Sequence, residues 1–147
     1  MALNTLIIQA LRRRIGDTDS AKYQYQDSQL EDFLLDAATV LILDVGVTDY
    51  ELDTSNRTLT PDPMANGPDW SYIELLLSCA ALHIAQVEQR ETAGKAGAIS
   101  VGPRMAINTS AQAQVAAQKV AQFTKQYSRA KLAYRMKRAN SYITGIT

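Results

Sequence analysis

Cys79 and His83 are the chain's single cysteine and single histidine, four residues apart in SCAALHIAQ. On a helix that spacing puts both on one face, so a thiolate-imidazole pair is the chemistry they could perform. Their surroundings work against it: Leu82 and Ile84 flank His83, and apolar burial raises the pKa of a thiol and keeps it protonated. A zinc site needs further nitrogen or sulfur ligands, which one cysteine and one histidine do not supply. Asp17 and Asp19 begin like a calcium loop, but the downstream ligands and the glycine do not follow. Gly102-Pro103 lacks the lysine and hydroxyl of a phosphate cradle. These residues predict no catalytic centre, no metal and no cofactor.

Charge offers the other chemistry. All 15 acidic residues lie at or before Glu91, accompanied by six basic ones; from Thr92 onward there are nine basic residues and no acid. The formal net charge is zero, so the chain reads as a dipole whose halves can attract other copies. Tyr127, Tyr134 and Tyr142 interleave with the basic residues, a pattern that also suits nonspecific phosphate contact. Arg12, Arg13 and Arg14 form a second basic cluster, read either as a phosphate or partner contact or as a solvated helix end. Glu31, Asp32 and Asp36 read as a wet helix face, or as one side of a contact with the basic half of another subunit.

The elements that carry these residues are mostly helical. Residues 1–139 predict a single domain, a bundle of about four helices, with an arm over 140–147; a chain of 147 residues needs no second domain. Its centre is WSYIELLLSCAALHIAQVEQRE, Trp70 to Glu91, where Trp70, Ile73, Leu76, Leu77, Ala80, Ile84 and Val87 follow helical spacing and Asp69 offers a cap. Glu74 and His83 interrupt the apolar run, which reads as a core helix and not a membrane span.

Before it, Leu3 to Leu11 forms a helical stripe stopped at Gly16, and Ser28 with Glu31 opens a second helix as a capping box. Pro61, Pro63, Gly67 and Pro68 mark a long loop from Gly46, within which Tyr50 to Thr60 alternates like a short strand pair. After the central helix, Ile99 and Val101, then Met105 and Ile107, flank Gly102-Pro103 and predict a β-hairpin or extended loop over 98–108. Asn108 to Ser110 would cap the last helix, in which Ala116, Val120, Phe123, Tyr127, Ala130 and Tyr134 form a heptad-like seam. About 30 residues make a rod of ~45 Å, and its later part, Arg129 to Arg138, is expected to project beyond the body. No stretch after Met1 reads as a signal peptide, which predicts a protein kept in the cytoplasm.

LRRRIGDTDS, then YQYQDSQLEDFLLDAA, then a loop with TPDP, an apolar helix, and AISVGPRMAINTSAQA leading into a long tyrosine-containing helix follow one another in this order. That order resembles the head-to-tail connector (adaptor) proteins of tailed bacteriophages, over nearly the whole chain. The resemblance implies a small helical bundle assembled from identical subunits into a ring, commonly dodecameric, beneath the portal. Such a ring extends the channel for passing genomic DNA without reading its sequence, seats the next neck or tail completion protein, and is found in the virion at the head-tail junction after assembly in the host cytoplasm. It also implies partner-binding roles for Arg129, Arg135, Lys137, Arg138, Tyr142, Ile143 and Ile146 toward the portal or a neighbouring subunit. Ile99, Val101 and Met105 would lie on an inter-subunit or tail-facing surface. The alternative is a small DNA-binding or packaging accessory protein using the basic last helix.

Overall fold

Helix α3, Trp70–Ala98, forms where the apolar spacing predicts one and continues past Glu91. Asp69 accepts from the Tyr72 amide at 3.4 Å, a first-turn cap of the expected kind. Ile73, Leu75, Leu76, Leu77, Cys79, Ala80, Ala81, Leu82 and Ile84 are buried, so nearly the whole girth of the helix over these turns needs neighbours. Its length and composition would also pass for a membrane span, but 67% of its most apolar window is buried inside the fold.

The computed structural model describes residues 5–53, 55–65, 67–98 and 103–144, except the side chains of 95–98, 103–110 and 142–144. The element order is α1 (Thr5–Ile15), α2 (Asp27–Val45), β1 (Glu51–Asp53), β2 (Thr58–Thr60), α3, and α4 (Pro103–Thr144). The fold is mainly α, with four helices, a long C-terminal helix and one small hairpin. Helices α1, α2 and α4 all pack on α3. Ile7, Ile8 and Leu11 from α1, Leu30, Leu34 and Leu41 from α2, and Phe123, Ala130 and Tyr134 from α4 close the core around it.

Two glycines end helices as their backbone freedom allows. Gly16 (φ 83°) and Gly46 (φ 71°) both adopt the left-handed region, and Asp17 then donates back to the Arg12 carbonyl at 2.9 Å, Val47 to that of Leu41 at 3.4 Å. At the start of α2 the reciprocal contact is made by Gln26 and Gln29: the Gln26 amide donates to Gln29 Oε1 at 2.8 Å, where Ser28 and Glu31 were the expected pair.

The hairpin lies within the proline-bearing loop. β1 and β2 pair antiparallel with Leu52 opposite Leu59, as the alternation from Tyr50 suggests. The hairpin or loop expected over 98–108 is not found where the backbone is described: α3 reaches Ala98 and α4 begins at Pro103. Proline suits the first position of a helix, where its missing N–H costs nothing, and Pro103 opens α4. The expected cap over Asn108 to Ser110 therefore lies inside α4. Residues 140–144, read as the beginning of an arm, continue the same helix.

Candidate functional site

The chemistry of this fold is concentrated in the cations of α4 and the groups they meet. The seam runs as the spacing predicts: Phe123, Ala130 and Tyr134 are buried, and Ala116, Val120 and Tyr127 half-buried. Consecutive seam positions turn the flanking lysines and arginines toward the body, because residues three and four apart share a face. Lys131 Nζ reaches Asp44 at 2.6 Å, and the Tyr127 hydroxyl donates to the same carboxylate at 2.7 Å. Lys137 Nζ lies 3.0 Å from Asp69, which also accepts from the Tyr50 hydroxyl at 3.1 Å. Arg138 donates to the Gly46 carbonyl at 2.9 Å and to Thr48 at 2.8 Å, with Asp49 at 3.8 Å. Arg135 donates to the Asp44 carbonyl at 3.3 Å, at the negative end of α2. Further along, Lys119 pairs with Glu88 of α3 at 2.6 Å.

Electrostatics follow from these pairs. Hydrogen bonds from Lys131 and Tyr127 hold the Asp44 carboxyl below its ordinary value. Burial pushes Asp69 upward, but the hydrogen bonds from Lys137, the Tyr72 amide and Tyr50 outweigh it and the net shift is down. Burial beside Asp49 raises the Tyr134 phenol to about 12. Tyr50 stacks on Tyr72 with ring centroids 3.9 Å apart, and Tyr72 meets Tyr134 at 6.4 Å. Tyr127 and Tyr134 of the basic helix are thus used against the body of their own chain.

The basic stretch from Arg129 to Arg138 was expected to project. Instead it folds back: Lys131, Arg135, Lys137 and Arg138 all bind α2, the loop after it, or Asp69. Lys119, Lys131, Lys137 and Arg138 of the basic third meet carboxylates of the same molecule. Arg129 is exposed, and with Lys125 it makes no hydrogen bond or ion pair among the described residues. Tyr142 and Ile143 lie on the last turns of α4 and Met105 on its first. Ile99, Val101 and Ile146 lie outside the described residues.

The opposite stretches of α3 and α4 are open to solvent. Beyond Glu88, Arg90, Glu91, Ala93 and Gly94 are exposed, as are Gln112, Gln114, Val115, Ala117 and Gln118 across the pair. Val115 is 64% exposed although apolar.

Of the three arginines at the end of α1, Arg12 and Arg14 are tied into the body of the fold. Arg12 is buried, pairs with Asp17 at 2.7 Å and Asp27 at 2.6 Å, donates to the Tyr25 carbonyl at 2.8 Å, and lies 3.7 Å from the centroid of the Tyr23 ring. Asp17 also accepts from the amides of Gln24 and Tyr25, so the carboxylate considered for calcium organises the 17–26 loop. Arg14 bonds Ser78 and Glu74, both at 2.6 Å. Arg13 keeps to the surface and donates to the Gln9 carbonyl. Trp70, placed by spacing on the buried stripe, is 65% exposed and borders a groove of about 250 Å³ with Leu6, Ile7, Ala10, Ile73 and Leu77.

Cys79 and His83 do share a face, with Sγ 3.9 Å from Nε2. Burial pushes the Cys79 thiol up to about 11, the charge of Asp44 adding to the effect and the Tyr127 hydroxyl opposing it. Burial also lowers His83, against the pull of Asp36. At neutral pH this is a thiol beside a neutral imidazole. Among the described residues no group of three or more His, Cys, Asp or Glu side chains is placed to hold a metal ion.

Compared with protein-family models, with curated proteins and with solved structures, the chain gave no match.

Proposed function

We propose that the chain is a noncatalytic virion component, a ring-forming adaptor that seats against a portal and offers a docking surface to the next neck or tail protein. The reading begins from the order of sequence motifs. The observation that carries it is the length of α4, 42 residues, about 63 Å at the usual rise. A compact chain of this size has a radius of gyration of only about 15 Å. A helix of this length draws its stability from packed faces more than from propensity, and its exposed turns can gain such packing from a second molecule. The exposed turns around Val115 supply such a surface.

The DNA-accessory alternative is less well supported, because Lys119, Lys131, Lys137 and Arg138 are already paired with carboxylates. A phosphate backbone would have to compete for each of them. Co-sedimentation with isolated portal rings tests the proposal. The chain is expected to pellet with the rings at fixed stoichiometry, and removal of residues 140–147, including Tyr142, Ile143 and Ile146, is expected to leave the body folded while weakening that binding. Portal rings that sediment without the chain, together with duplex DNA binding that falls steeply with salt, would reverse the assignment.

A further inference from the structure

We propose that copies of this chain join head to tail, with the outer face of α2 on one copy lying along the outer face of α4 on the next. The proposal rests on the adaptor reading and names the contact that would link the subunits. The outward stripe of α4 is Lys125, Arg129, Leu132 and Met136, at steps of four, three and four, and all four are exposed. The outward stripe of α2 is Asp32, Asp36, Thr39 and Leu43, at the same steps and likewise exposed. Laid side by side in the same direction, the two match position for position. Asp32 meets Lys125, Asp36 meets Arg129, and Leu43 meets Met136, with Thr39 against Leu132.

Three observations favour a second copy as the occupant. First, Lys125, Arg129 and Asp36 make no hydrogen bond or ion pair among the described residues, whereas the cations on the inner face of α4 are paired within the chain. Asp32 holds Arg57 through Oδ1, which leaves its other oxygen available. Second, Leu43, Leu132 and Met136 are 81%, 61% and 58% exposed, and apolar side chains gain nothing against a phosphate backbone but do gain against one another. Third, each stripe carries one sign of charge. Setting α4 against α4 or α2 against α2 would repel, while a contact between the two different faces attracts.

Both helices pack on α3 and each stripe lies on the exposed side of its helix, so one copy offers both faces and the contact can repeat. A strip a few turns long falls short of the ~800 Å² per partner of a stable interface. Single contacts are therefore weak, and closing a ring, in which each copy makes two, supplies the rest.

Sedimentation velocity over a concentration series to about 1 mM, the range of weak association, tests the contact at low salt. Arg129→Glu alone and Asp36→Lys alone are each expected to weaken self-association at least about tenfold, since like charges then face each other. An equimolar mixture of the two variants is expected to restore it, because each altered face meets the altered face of the other. Circular dichroism checks that both variants remain folded. Variants that associate like the unaltered chain, or a mixture no better than its components, would overturn this contact while leaving portal binding, and so the adaptor reading, intact. An unaltered chain that stays monomeric throughout would overturn it as well, with portal co-sedimentation judging the adaptor reading separately. Duplex DNA binding abolished by Lys125→Glu, with self-association unchanged, would assign the stripe to phosphates instead.

Discussion

The two halves of α4 have the same helical backbone and opposite employment. From Phe123 on, the helix is held to its own body by a buried aromatic seam and by lysines and arginines set against Asp44, Asp49 and Asp69. From Ala111 to Gln118 the side chains are mostly exposed, with Ala113 and Ala116 half-buried. One half stabilises the fold, and the other presents a surface. The difference shows that a one-sided charge distribution along a sequence need not be answered by a partner. Folding back can bring the complementary charge from the same chain.

The sharpest way to break this contrast is to empty the seam. Phe123→Ala is expected to cost about 3–5 kcal/mol of unfolding free energy in urea, whereas Val115→Ala in the exposed half should change it by less than about 0.5 kcal/mol. Equal losses would mean that the two halves are equally packed. Cations can be separated in the same way. Arg12→Met leaves the Asp17 side chain, 7% exposed, without its cation and is expected to cost roughly 3 kcal/mol or more. Lys131→Met and Lys137→Met act at pairs open to solvent and should each cost at most about 1 kcal/mol.

Acid sharpens the comparison further, with a smaller effect. Asp44 and Asp69 have folded values below the ordinary 3.8, so the unfolded chain takes up these protons first as pH falls. The stabilisation they provide is complete well above pH 3.8 and is lost as pH drops through and below it. Urea midpoints measured from pH 6 to about pH 3 should fall less steeply for Asp44→Asn than for the unaltered chain.

The features legible in the sequence are those that a single helix decides. The seam from Ala116 to Tyr134 and the Asp69 cap follow from spacing of three and four and from one carboxylate before an apolar run. Features decided by tertiary pairing were not legible. Arg12 looks like any basic residue at a helix end until Asp27, 15 residues on, is brought against it. The same holds for Lys131 and Asp44, 87 residues apart: spacing shows that a lysine flanks the seam but not which carboxylate faces it. Trp70 opens its helix at the body's edge, where spacing alone does not reveal that no neighbour covers it. Pro103 is ambiguous in another way, since a Gly-Pro step suits a turn and a helix start alike. Exposed Leu43 and Met136 carry no signal until the other faces of their helices are known to be occupied.

Hydrogen exchange along α4 in the free chain tests the division of this helix most directly. Amides from Phe123 to Arg138 are expected to exchange only through global unfolding, and those from Ala111 to Gln118 orders of magnitude faster through local opening. Equal protection along the helix, or faster exchange in the cationic half, would contradict the account.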